Sequence, residues 1–133
     1  MRPQFVYLTL EQILVIHQDQ IDRYGGSHGI RELALLESAA FRPQSTFSDQ
    51  DLYSDLFDKA AALMHSLILN HPFIDGNKRT GSVSVVAFLQ INGWYLKAGR
   101  DDFLQTVLDI ESKKINIEEI AQWLKTNSEK LML

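Results

Sequence analysis

The feature that most limits what this chain can become is a pair of helical signals meeting at one break. From Leu52 an apolar stripe runs through Leu56, Ala60, Leu63 and Leu67, flanked by Tyr53, Phe57, Met64 and Ile68, which is the spacing of one buried helix face. His71-Pro72 stops it, because a residue before proline is pushed out of the α region. A second helix is expected from about Asn77 to Asn92-Gly93. Its residues are apolar or small nearly all round (Gly81, Ser82, Val83, Ser84, Val85, Val86, Ala87, Phe88, Leu89). Such a helix needs neighbours on every side. Two central helices joined by a short polar loop are therefore the frame on which the rest must pack.

The remaining segments read as further helices around that pair. Thr9 opens a capping box with Gln12, and Leu10, Ile13, Leu14, His17 and Ile21 follow at helical spacing until Gly25-Gly26. A short helix is expected from Arg31 to about Ala40, ended by Pro43. Residues 43–49 read as a loop, with Ser48 or Asp49 capping the first central helix. Two amphipathic helices close the chain, one starting near Arg100 or Asp101, the other capped by Asn116 with Glu119 at its third position. The stretch "GWYLKAG" suits a short extended piece. The expectation is an all-α fold of about six helices, one domain over residues 1–133, since that length suits a single core.

Composition removes several function classes. Charged residues make up 23% and the net charge is −4, with a pI near 5.5, so a basic face for gripping nucleic acid is not expected. The absence of cysteine excludes disulfides and thiolate metal sites, in keeping with a cytoplasmic setting. "MRPQFVYLTL" lacks the apolar core and cleavage site of a leader. The uncharged run from Thr80 to Leu96 is broken by Asn92 and Gly93 before it could span a bilayer.

The chemistry sits in the break itself, "HPFIDGNKRTG" at 71–81. A helix N-terminus offers unpaired N–H groups and partial positive charge, which favour phosphate. Gly76 lets backbone approach closely, and with Asn77 it suits an anion-binding nest. Lys78 and Arg79 place two cations in the first helical turn, where the helix dipole disfavours them unless an anion is held there. Asp75 is the loop's one carboxylate. One carboxylate with substrate phosphates is the common way of holding Mg²⁺, whereas Ca²⁺ would require more oxygen ligands. His71 is the natural general base, with the preceding helix end raising its pKa and Lys78 and Arg79 lowering it. Phe73 is expected to point inward and pin the loop.

Two look-alikes fail. Gly76 and Gly81 have P-loop spacing, but Ser82-Val83 stand where Lys-Ser/Thr should be, and a helix precedes instead of a strand. His17, His28, His65 and His71 form no H-E-x-x-H, and His17 and His65 read as packed helix residues. "GGSHGIR" at 25–31 reads as a glycine-rich connector.

The loop resembles the H-x-F-x-D/N-A/G-N-K-R signature of the Doc (death-on-curing) toxins, a branch of the Fic superfamily. It matches at His71, Phe73, Asp75, Gly76, Asn77, Lys78 and Arg79. "YGG", "GIRELALLESA", "RP" and "KAA" look similar too, so the resemblance runs from about Tyr24 to Gly93. It implies the compact helical Fic fold, with the loop between two central helices as active site. It also implies a toxin that moves the γ-phosphate of ATP to a threonine of elongation factor Tu, arresting translation. In that scheme His71 deprotonates the acceptor, Asp75 holds Mg²⁺, and Gly76, Asn77, Lys78 and Arg79 serve the phosphates. Most Fic proteins transfer AMP and carry glycine where Lys78 stands. Pro72 and Gly76 also occur in that H-P-F-x-x-G-N-G-R form, so AMP transfer stays open, as does an inert nucleotide- or peptide-binding module. An inhibitory S/T-x-x-x-E-G/N motif is not found, which implies restraint in trans by an antitoxin segment.

Overall fold

The computed structural model describes residues 4–132; Met1, Arg2 and Pro3, with which the leader reading begins, lie outside the described residues. Six α-helices are formed among the described residues: α1 (Leu10–Tyr24), α2 (Leu33–Phe41), α3 (Leu56–Leu69), α4 (Asn77–Ile91), α5 (Arg100–Glu111) and α6 (Ile117–Thr126). The all-α expectation holds. Both expected capping boxes are present. Thr9 Oγ1 accepts from Gln12 N at 3.1 Å and Thr9 N donates to Gln12 Oε1 at 2.9 Å; Asn116 and Glu119 repeat the pattern at the start of α6.

The central pair is α3 and α4, with α6 against the other side of α3, α1 against α4 and α5 alongside. Leu63, Met64, Leu67 and Ile68 of α3 meet Phe88 and Leu89 of α4 and Ile110, Ile120 and Leu124 of α5 and α6, all fully buried. Gly81 lies where α4 packs against Leu67 and Ile68 of α3. A Cβ there would lie 2.9 Å from Ile68 Cγ1, so only glycine allows the two backbones this near.

Two expectations need correction. The first central helix does not begin at Ser48 or Asp49. Thr46–Phe47 (β1) and Gln50–Asp51 (β2) pair as an antiparallel hairpin, and Ser48 and Asp49 occupy its turn with φ of 52° and 62°. Two successive positive φ values are what a tight two-residue hairpin needs. The true cap is Asp55, whose Oδ1 accepts from Asp58 N at 2.8 Å, and Leu52 is exposed. Lys59, fully buried in α3, donates to Pro43 O at 3.1 Å and Asp51 Oδ2 at 3.3 Å, and lies over the rings of Phe5 and Tyr7. A buried ammonium needs such partners, and meeting that need fixes β2 against the helix.

Second, α4 is not enclosed on every side. Its Thr80, Gly81, Ser84, Val85, Phe88 and Leu89 are buried, but Ser82 and Val83 line an open groove with Phe103, Leu104 and Val107 of α5. Small and apolar residues on that side reflect the groove instead of a further helix.

"GWYLKAG" contains a strand, Trp94–Leu96 (β3), paired antiparallel with Ser128–Lys130 (β4). Among the described residues no helix is long and apolar enough to cross a membrane.

Candidate active site

The loop between α3 and α4 is built by two left-handed turns. After Asn70, the C-cap of α3, His71 takes φ 48°. A residue with a Cβ is disfavoured there by about 1–2 kcal/mol, so something must hold it. Gly76 takes φ 79° as the N-cap of α4, and a Cβ on it would come within 2.9 Å of Ile21 Cδ1.

Between these turns the loop is stapled from within. Phe73 N donates to Asn77 Oδ1 and Asn77 Nδ2 donates to Phe73 O, both at 3.0 Å. The Phe73 ring is buried as expected and lies flat on His17, with centroids 3.8 Å apart and planes 5° from parallel. His17 Nε2 donates to Asp75 O at 2.8 Å, since a carbonyl can only accept. Burial pulls the His17 pKa below its ordinary value, with Arg79 and His28 adding to the effect and the Asp75 carbonyl opposing it. His17 is thus a packed helix residue whose imidazole fixes the loop.

His71, Asp75, Gly76, Asn77, Lys78 and Arg79 line one cleft of about 270 Å³, together with Ile74 and Glu111. Phe73 is not among them; it anchors from below. Asn77 borders the cleft, but its amide is committed to Phe73, so its backbone N–H is what it can offer an anion. Asp75 Oδ1 accepts from Gly76 N at 2.8 Å and Oδ2 from Ser27 N at 3.1 Å. Those two N–H groups, with a smaller contribution from Arg79, hold the Asp75 carboxyl below the usual carboxylate range, so it is anionic at neutral pH.

The cations do not stand unpaired. Lys78 Nζ lies 3.0 Å from Glu111 Oε2 at the end of α5. Arg79 donates from Nη1 to Gln20 O at 3.1 Å and from Nη2 to Gly25 O at 2.8 Å. Those carbonyls belong to the C-terminal end of α1, where a positive charge is favourable. The dipole conflict read from the sequence is therefore offset in part by the protein itself.

Three contributors escaped the sequence reading. Glu111 lies 33 positions from Lys78 and carries no local signal. The segment 25–31 is more than a connector. Ile30 forms an antiparallel bridge with Phe73, Ile74 N donates to Gly29 O at 3.1 Å, and Ser27 supplies its N–H to Asp75. Arg31 binds the end of α3, donating from Nε to His71 O at 2.6 Å and from Nη2 to Asn70 O at 2.8 Å.

With the geometry in place, comparison with known proteins is decisive. Residues 7–89 match the model of the Fic/DOC family. This chain belongs to that family. Over 100 residues it is 47% identical to Toxin Doc of Mycolicibacterium smegmatis (strain ATCC 700084 / mc(2)155), covering 74% of this chain and 77% of that one. Over 87 residues it is 31% identical to Protein kinase doc of Escherichia phage P1, covering 65% and 68% respectively. The Fic/DOC match takes in α1 to α3, the whole loop and α4 as far as Leu89, whereas Glu111 lies beyond it.

Proposed function

We propose that this Fic/DOC chain is the toxin of a toxin–antitoxin pair. Its reaction is transfer of the γ-phosphate of ATP to a hydroxyl side chain of a translation factor, elongation factor Tu by family resemblance. The observation that carries the reading is one cleft bordered by a base, a carboxylate and two cations, with lysine and not glycine at position 78. The printed names of the two relatives, a toxin and a protein kinase, support it. The setting is the cytoplasm, where ATP and translation factors are found.

His71 takes the proton of the acceptor hydroxyl as its oxygen bonds to the γ-phosphorus and the bond to the β–γ bridging oxygen breaks, leaving ADP. Lys78, Arg79 and the N–H groups at the start of α4 hold the phosphates and stabilise charge on the transferring group. Asp75 fits a magnesium site. It is anionic, borders the cleft, and accepts one N–H on each oxygen, so lone pairs remain on both. Magnesium held there supplies charge neutralisation to the phosphate oxygens. An antitoxin segment in trans provides the restraint on Arg79 that no internal motif supplies.

ATP labelled separately at the α and γ positions tests this reading. The γ label alone should reach the protein target, and His71→Ala should lower the rate about 10² to 10⁴-fold. Lys78→Gly should lose γ transfer. Wild-type protein that moved the α label would instead make the chain an AMP transferase.

A further inference from the structure

His71 needs an outside hold. Its left-handed φ is disfavoured, and the proline after it biases it toward extended conformations that would re-aim the imidazole. The peptide before His71 ends in the Asn70 carbonyl and the one after it begins with the His71 carbonyl. The relative orientation of those two planes is set by φ and ψ of His71 itself. Arg31 binds both, through Nη2 to Asn70 O at 2.8 Å and Nε to His71 O at 2.6 Å, and its backbone N–H takes the next carbonyl, Pro72 O, at 2.8 Å. A planar guanidinium offers those two donors in a fixed geometry. The grip falls at a helix C-terminus, where free carbonyls and partial negative charge favour a cation.

We propose that Arg31 is the positioning residue of the active site, a two-pronged strap that fixes the backbone of His71 and so aims the general base into the cleft. Arg31 is not part of the cleft lining, so its effect falls on the placement of the base and not on nucleotide affinity. The inference rests on reading His71 as the base. It adds the residue that makes the loop's strained turn persist.

Two variants of the full chain, Arg31→Ala and Arg31→Lys, test it with two readouts. The first is the backbone state of His71, followed by its carbon chemical shifts and its amide–α-proton coupling. The second is steady-state γ-phosphate transfer. Arg31→Ala is expected to keep the helical circular dichroism, lose the left-handed signature at His71, and lower kcat about 10²-fold with KM for ATP near the wild-type value. Lysine retains a charge but offers one point in place of a fork. Arg31→Lys is therefore expected to recover thermal stability while kcat and the His71 signature stay impaired. A left-handed His71 in Arg31→Ala would overturn the proposal, as would full recovery of kcat by lysine. Should Arg31→Ala fail to fold, Arg31→Lys decides alone. Wild-type protein that transfers neither the γ-phosphate nor AMP would refute the base role of His71, and the chemical shifts would still judge the strap.

Discussion

At the scale of single residues, position in the chain decided what could be read. The residues lining the cleft lie almost entirely within nine consecutive positions, so their chemistry was visible as one string. Glu111 and Arg31 reach the same loop only through the fold, and neither has a neighbour in sequence to betray it. His65 is a similar case, read simply as packed. It is half-buried, and its Nδ1 lies 3.3 Å from Arg42 Nη1, which also donates to Ser66 Oγ at 2.7 Å. Burial first, and then Arg42, lower the His65 pKa from its ordinary 6.5. A histidine whose folded pKa is depressed binds fewer protons folded than unfolded below pH 6.5, so stability falls as pH drops through that window. The melting temperature should therefore decline from about pH 7 to about pH 5.5. His65→Asn, which keeps an acceptor for Arg42 but does not titrate, should make that decline shallower and leave the share owed to His17, whose pKa is also depressed. An unchanged slope in thermal melts of the variant would assign the acid sensitivity elsewhere.

At the scale of elements, legibility tracked local punctuation. Capping boxes at Thr9 and Asn116 and stops at Gly25 and Asn92 placed four helix ends correctly, because each is settled by groups within a few residues. The β1–β2 hairpin was hidden. Its turn is Ser48-Asp49 with no glycine to announce it, and Leu52 falls by spacing on the stripe of α3. The hairpin is tied to the helix by Lys59, whose ammonium reaches Asp51 from inside α3, and no local residue pattern announces that contact. Gly81 shows the converse. Its five-residue spacing from Gly76 mimics a phosphate loop, yet its work is at the α3–α4 crossing. Alanine at position 81 would gain about 1 kcal/mol in helix propensity. That gain is outweighed, because the added methyl meets Ile68 Cγ1 at 2.9 Å and Leu67 Cβ at 3.5 Å, atoms close to the backbone of a stiff neighbour. Overpacking of this kind costs about 1–3 kcal/mol. Gly81→Ala should lower the denaturation midpoint, and Gly81→Ala combined with Ile68→Ala should lose less than the sum of the two. Strict additivity would argue that the crossing is not this close.

At the scale of the whole molecule, the net charge of −4 is distributed so that a cationic loop sits on an acidic body. The chain also closes on itself beside α4. Asn92 exchanges two hydrogen bonds with Val6, at 2.9 and 2.8 Å, and Leu131 N donates to Gly93 O at 2.9 Å. Within this frame every charge of the loop already has a protein partner: Glu111 for Lys78, the carbonyls of Gln20 and Gly25 for Arg79, the N–H groups of Ser27 and Gly76 for Asp75. Glu111 neutralises Lys78, while Arg79 keeps its charge but has donors already committed to carbonyls, so the pair gathers fewer small anions from solution than two free cations would. Under the proposed function, then, an incoming triphosphate exchanges one set of protein partners for another and sets few counterions free. ATP affinity should vary gently with ionic strength, more gently than two exposed cations would give. Removing the internal partner should expose the difference. Glu111→Gln is expected to bind ATP more tightly at low salt and to lose that advantage steeply as salt is added. Calorimetric titrations of both proteins at two salt concentrations would show it, and equal slopes would mean that Lys78 meets the nucleotide already free.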